Sequence, residues 1–355
     1  ATMPAVAARP VPRPTRMPSS TIAAHAAPAA AQAASRSFAM PQGYATLVPM
    51  DVHPGDIIQI DTMLAGIPGM TSVQLVRGDQ PALIDCGTQT SADTVRLGLL
   101  EAGVAPEDLA WLVLTHIHLD HCGAVGDLAQ AFPNATVVVH PRGARHLVEP
   151  DRLVEATAHI YGRLAPAIGG LAPVPEDRIV VAEDGHTIPL GGGRALRAVW
   201  APGHARHHMA LLDEGEGILF SGDAVGLLLG GGDLYPSIPP PEYDVDAALD
   251  TIDRLEAIAP TALYVSHAGP ASHPGEAFDE GRRAQAAMGT AARASWAAAP
   301  GDSEALWAAV EAAWPSEGAL STPEARARWT AFNWLDNNVL GLAGMAEREA
   351  RAEQS

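Results

Sequence analysis

Short apolar runs recur through the middle of the chain, each closed by a turn-forming residue. Residues 57–60, 72–76 and 82–85 are apolar or alternating stretches separated by Gly, Pro and Asp, and they read as strands. Residues 91–102 have helical spacing, 111–115 is a buried strand by composition, 126–132 is helical and 135–140 is the next strand. The alternation continues with strand runs at 178–181, 196–200, 208–212 and 217–221. Leu249, Ile252, Leu255 and Ile258 then place a helix over 245–258, and 262–266 is a last short strand. From about residue 274 the pattern turns helical. Trp307, Val310 and Trp314 share one face, and Ser321, Thr322, Pro323 and Glu324 form a capping box with an early proline. Trp329, Phe332, Leu335, Val339 and Leu342 follow at three- and four-residue steps, as a core-facing stripe does. Two mixed sheets flanked by helices, with helices behind them, fit this order.

Polar clusters sit where the apolar runs stop. The strand at 111–115 ends in Thr115-His116-Ile117-His118-Leu119-Asp120-His121. In an extended segment His116, His118 and Asp120 point to one side, and a turn after Asp120 brings His121 round toward a second position. Further candidate ligands each follow a strand: His204 after Pro202-Gly203, Asp223 after Ser221-Gly222, and His267 after 262–266. Neutral imidazole and carboxylate oxygen suit zinc and its first-row neighbours, and so many such groups are costly to bury without a metal.

These motifs resemble the metallo-beta-lactamase fold superfamily. Its His-x-His-x-Asp-His signature stands as His116, His118, Asp120 and His121. Its later Gly-His, Gly-Asp and strand-end His elements match Gly203-His204, Gly222-Asp223 and His267, and its early Asp-x-Gly turn matches Asp85-Cys86-Gly87. The resemblance implies an α/β fold, a four-layer αββα sandwich with a helical C-terminal extension. It implies that His116, His118 and His204 hold one divalent metal ion, that Asp120, His121 and His267 hold a second, and that Asp223 bridges them. Zinc is the expected metal, with iron or manganese as alternatives. Asp85 is expected to buttress the site rather than ligate. A metal-activated hydroxide would attack the substrate, with Asp120 orienting it and moving its proton as the catalytic residue. No Gly-x-Ser-x-Gly motif offers a nucleophilic serine instead.

The implied division of the chain is an Ala/Pro-rich arm at 1–40, a metallo-beta-lactamase-like catalytic domain at 41–273 and a helical extension at 274–355 packed on it. Alone, the arm buries too little apolar area to be ordered. The expectation is a homodimer in which it contacts the partner subunit. Hydrophobic residues make up 47% of the 355 and aromatics only 5%, so the core is built from small, closely packed side chains. The formal net charge is −19, from 41 acidic and 22 basic residues with no basic run, which argues against nucleic acid as partner. No strongly apolar stretch of ~18 residues is present, so no membrane span is expected and the protein should be soluble. The first residue is Ala rather than Met, leaving open a removed upstream segment and a cytoplasmic or periplasmic location. Cys86 and Cys122 read as small buried side chains, and His140 and His146 as structural or surface groups. One of His207 and His208 is a candidate to line the pocket.

Substrate choice lies outside the ligands. The apolar, methionine-bearing loop at 63–70 and the long segment at 224–243 are candidate pocket walls. Together they point to a small or medium, partly apolar small-molecule substrate: an ester, lactone or amide. The tyrosine that quorum-signal lactonases carry after the bridging aspartate is missing from 224–226, leaving Tyr235 or Tyr243 as substitutes. Alternatives are a chlorothalonil-like hydrolytic dehalogenase of haloaromatics, an iron-dependent oxidoreductase on the same fold, and a non-catalytic binding protein.

Overall fold

Strands buried on both faces read as unbroken apolar runs, and these assemble into two sheets laid face to face. The computed structural model describes residues 50–228, 234–267, 269–313 and 335–353. The first sheet contains β1 (Met50–His53), β2 (Ile57–Asp61), β3 (Ser72–Val76), β4 (Ala82–Ile84), β5 (Trp111–Val113), β6 (Thr136–Val139) and β7 (Ile179–Val181), in that spatial order. Its first four strands are antiparallel neighbours, and β4 to β7 run parallel. The second sheet is built from β8 (Thr187–Gly191), β9 (Arg194–Trp200), β10 (Met209–Asp213) and β11 (Ile218–Gly222). After a small ribbon of β12 (Leu227–Leu228) and β13 (Leu234–Tyr235), it is completed by β14 (Ala262–Val265) and β15 (Gly269–Pro270). Its spatial order is β15, β14, β11, β10, β9, β8, with β11 and β14 parallel.

Alternation along each strand divides the interior. Ile57, Val76, Ile84, Val113 and Val138 face the second sheet, where they meet Leu196, Met209, Leu211 and Phe220. Ile58, Leu75, Leu83, Leu112 and Val137 face outward onto helices. Those helices are α1 (Ala92–Glu101), α2 (Leu119–Cys122), α3 (Val125–Ala131), α4 (Pro141–Val148), α5 (Asp151–Tyr161) and α6 (Ala165–Ile168). The far face of the second sheet is covered by α7 (Val245–Glu256) and α8 (Pro274–Ala298), through Ile252, Leu255 and Phe278. Beyond them α9 (Ser303–Ala313) and α10 (Leu335–Glu353) close a further cluster with Val310, Val339 and Leu342. The layers are therefore helix, sheet, sheet, helix, with C-terminal helices after the sheets.

The predicted strands and helices recur with ends shifted by a few residues. The span 141–168, where the sequence pattern picks out no element, is helical. There the His140 ring caps the first turn by accepting from the Arg142 N–H at 3.1 Å, and Pro141 starts the helix. This is a structural role for His140, as expected. Edge strand β1 is half exposed and β8 contains Pro189, so neither shows the apolar run by which the other strands were recognised. The 1–40 arm, its expected contact with a partner subunit, and the stripe residues Trp314, Trp329 and Phe332 lie outside the described residues. Cys86 and Cys122 are free and buried.

One glycine sets how closely the second sheet's helix approaches the strand-end loop. Gly203 has φ +131°, and a Cβ there would meet the Ala248 Cα of α7 at 2.3 Å. Gly203→Ala combines backbone strain with a backbone clash and should destabilise the protein by about 2–4 kcal/mol. The check is the thermal denaturation midpoint; an unchanged midpoint would mean that α7 is free to move away.

Candidate metal centre

Parallel strands end on the same side, and their following loops converge there. Asp85 follows β4, Thr115 to His121 follow β5, His204 lies between β9 and β10, Asp223 follows β11, and His267 follows β14. The two sheets are tied together at this rim by Met209 N–H to Thr115 O and Ser72 N–H to Ser266 O, both 2.8 Å. The segment after β5 departs from the extended conformation expected of it. His118 is the extended N-cap residue of a helical turn, α2, so Asp120 and His121 are consecutive residues on a helix rather than on either side of a later turn. The spacing still delivers all four side chains, because the helix starts two residues earlier than anticipated.

The seven expected residues come together in three overlapping groups whose ligand atoms lie within 4.8 Å of one another: His116, His118 and His204; His116, His121 and Asp223; Asp120, His121 and His267. All are buried except His118, which is partly exposed. His118 Nδ1 stands 3.0 Å from both His116 Nε2 and His204 Nε2. On the other side, His121 Nε2 and His267 Nε2 are 3.3 Å apart. Each of these two nitrogens is 3.5 Å from Asp120 Oδ2 and from Asp223 Oδ1. Asp223 Oδ2 lies 3.7 Å from His204 Nε2, so this carboxylate turns one oxygen to each triad.

The other ring nitrogens decide what these atoms can be. His121 Nδ1 faces Asp85 Oδ2 at 2.9 Å, His267 Nδ1 faces Met70 O at 3.0 Å, and His204 Nδ1 faces Ser237 O at 3.1 Å. Carboxylate and carbonyl oxygens only accept, so each Nδ1 carries the proton. His116 Nδ1 faces Thr115 Oγ1 at 3.0 Å, whose own proton goes to Asp85. In the neutral rings of these four residues each Nε2 therefore points a lone pair into the centre, where the His118 ring presents its Nδ1. Lone pairs facing one another in a buried site are repulsive unless a cation lies between them. Two ligand atoms each ~2.0–2.1 Å from a tetrahedrally held zinc stand ~3.3 Å apart, close to the 3.0–3.3 Å between these ring nitrogens. Asp223 Oδ1 is also buried with no hydrogen-bond partner among the described residues. The donor set thus fits a pair of divalent cations.

Electrostatics give the same answer. Burial, reinforced by neighbouring histidines, holds His116 and His118 well below the usual histidine range, so both are neutral. Burial alone would raise Asp120 and Asp223, but the adjoining His121 and His267 hold both well below the usual carboxylate range. Burial would likewise lower His267, yet Asp223 and Asp120 lift it to about 9, and His121 is raised by Asp120 and Asp223.

Asp85 is not among the grouped residues. It accepts from Thr115 N–H at 2.8 Å, Thr115 O–H at 2.9 Å, His121 Nδ1–H at 2.9 Å and Ser266 O–H at 2.7 Å, in the buttressing role expected of it. His208 Nε2 accepts from the Asp223 N–H at 3.2 Å, and the His207 ring lies parallel to that of His116 with centroids 6.1 Å apart. Tyr235 and Tyr243 are both fully buried, and the Tyr243 hydroxyl is spent on Gln285 Oε1 at 3.2 Å. Tyr161, at the end of α5, reaches the clustered residues and donates to Asp120 Oδ1 at 2.6 Å. Burial and the Asp120 charge raise its hydroxyl well above 10, so it remains a donor. It stands 41 residues beyond its partner in a span without a motif, and no sequence signal marks it.

A sequence profile described as the metallo-beta-lactamase superfamily matches residues 66–267, more than half of the chain. The metallo-beta-lactamase fold-containing protein ST1585 of Sulfurisphaera tokodaii is 30% identical over 208 residues, covering 57% of this chain and 74% of that protein. The probable metallo-hydrolase YqjP of Bacillus subtilis is 25% identical over 241 residues, covering 61% of this chain and 72% of that protein. The crystal structure of the archaeal protein ST1585 superposes with a TM-score of 0.55 at 27% identity, over 64% of this chain and 84% of that one.

Cation uptake should release protons at neutral pH. An imidazole must be neutral to ligate, and His267 loses its proton only near pH about 9. Affinity should therefore fall as pH falls, by ~tenfold per unit for each proton displaced. Chelator competition across that range measures the slope; a flat profile would remove His267 from the ligand set.

Proposed function

The chain belongs to the metallo-beta-lactamase superfamily, and we propose that it is a zinc-dependent hydrolase of a small or medium, partly apolar ester, lactone or amide. The dinuclear divalent-metal site on this fold is the premise. The assignment of individual ligands is the proposal: His116, His118 and His204 for one ion, Asp120, His121 and His267 for the other, and Asp223 between them. The observation that carries it is the pair of facing ring-nitrogen sets with one carboxylate oxygen of Asp223 turned to each. Two divalent cations so held supply a water acidified toward neutrality and a Lewis acid for the substrate's oxygen.

The chain's own groups do the rest. Asp120 accepts a hydrogen bond from the attacking water and takes its proton. The Tyr161 hydroxyl on Oδ1 keeps that carboxylate from rotating. Asp85 keeps the proton of His121 on Nδ1, and the carbonyls of Met70 and Ser237 do the same for His267 and His204. A small apolar crevice is lined by Leu64, Ile67, Met70, Leu164 and Ile168, and Met70 on its wall also supplies the carbonyl that His267 faces. The loop above it is held taut: Asp61 accepts from Met63 N–H at 2.8 Å and Gly69 N–H at 2.7 Å, and Met63 and Ala65 both have φ +54°. Among the described residues no helix is long and apolar enough to cross a membrane.

Purified protein should contain two zinc ions per chain and turn over some member of an ester, lactone and amide panel. Asp120→Asn keeps the shape but removes the proton acceptor, and should lower kcat by about 10²–10⁴-fold while leaving the melting temperature close to wild type. Elemental analysis and the panel test this together. Full metal loading with no turnover of any substrate would sink the hydrolase reading, and predominant iron would remove zinc from it.

A further inference from the structure

The last helix touches the metal centre's surroundings in a way ordinary core packing does not require. Val339, Leu342 and Met345 of α10 account for its burial, in a cluster with Met288, Leu306 and Val310. Between these apolar positions, α10 holds the backbone of the segment behind His204. Asn338 is 1% exposed, and its Oδ1 accepts the Ile238 N–H at 3.0 Å. One turn on, Gly341 lies so close that a Cβ there would meet the Ile238 carbonyl oxygen at 2.3 Å. Further along, the Arg348 guanidinium donates to the carbonyls of Pro241 and Tyr243. Ile238 follows Ser237, whose carbonyl takes the Nδ1 proton of His204.

We propose that α10 is a positioning element of the metal centre, in which Asn338 and Gly341 grip Ile238 and so fix the Ser237 carbonyl that orients His204. This rests on the reading of His204 as a metal ligand. A carbonyl that orients a ligating imidazole works only if it is itself immobile, because a shift of ~1 Å breaks the hydrogen bond and frees the ring to turn or change tautomer. Loop backbone has no ladder to hold it, and here the helix takes that part. The neighbouring Asn337 extends the arrangement to the opposite wall: its Nδ2 donates at 3.3 Å to the carbonyl of Ile160, next to the Tyr161 that holds Asp120. Consecutive asparagines of one helix thus reach the backbone beside both triads.

The test uses the full chain, with zinc as the probe and chelator competition resolving the two binding phases. Asn338→Leu matches the side chain in size and removes the acceptor oxygen. It should weaken one phase by about 10–100-fold and leave the other within about threefold of wild type. Asn338→Asp, which keeps an acceptor oxygen in place, should recover most of that loss. Gly341→Ala, which wedges the helix off Ile238, should reproduce the loss with Asn338 intact and serves if Asn338→Leu does not fold. Two phases unchanged in both Asn338→Leu and Gly341→Ala, or both phases weakened equally, would overturn the positioning role and leave the metal reading standing. Wild-type protein that binds fewer than two ions would overturn the metal reading itself, and this inference with it.

Discussion

Ring nitrogens held 3.0–3.3 Å apart in a buried pocket repel one another wherever their lone pairs meet, and carboxylates stand beside them. A folded chain tolerates that arrangement only if positive charge is expected there. This requirement explains why four of the imidazoles are committed at their other nitrogen: His121 to Asp85, His116 to Thr115, and His267 and His204 to the carbonyls of Met70 and Ser237. Each of those bonds fixes a tautomer as well as a ring plane, and the sum is a site preorganised for cations before any arrive.

Asp85 joins this requirement to the fold. Its backbone is left-handed at φ 57°, an unfavourable conformation for a residue with a Cβ. In return its carboxylate accepts from β5's end through Thr115, from α2 through His121 and from β14's end through Ser266. One side chain therefore locks the rim of the first sheet to that of the second. Gly222 lies against Thr115 and His208, where a Cβ would meet the His208 ring at 2.6 Å, so the turn into Asp223 can only approach this rim without a side chain.

The helices after the sheets complete the support. Gln285 of α8 donates to the carbonyls of Ala224 and Val225, just past Asp223, both at 3.3 Å. Across the site, α10 holds the segment from Ile238 to Tyr243. The sandwich supplies strand ends at a common rim, and these helices hold the long connections between them, which have no ladder of their own.

Much of this was legible beforehand. Alternating burial at 57/58, 75/76, 82/83 and 112/113 follows directly from apolar runs that a two-sided strand requires. The residues that cluster were legible because imidazoles and carboxylates at strand ends have no cheaper explanation than a metal. Tyr161, Asn338 and the carbonyls of Met70 and Ser237 were not. A backbone carbonyl has no residue type to betray it, and Tyr161 and Asn338 meet their partners only through contacts 41 and 100 residues apart in sequence. The helical start at Leu119 is not legible either, since a spacing of two residues suits an extended segment equally well. The chain's own order of residues determined which atoms could bind cations, because ligand chemistry belongs to side-chain type. Which nitrogen of each ring faces the centre, and what keeps it there, was decided only by the folded arrangement, because a tautomer is set by the hydrogen bond at the ring's far side and that partner comes from another element.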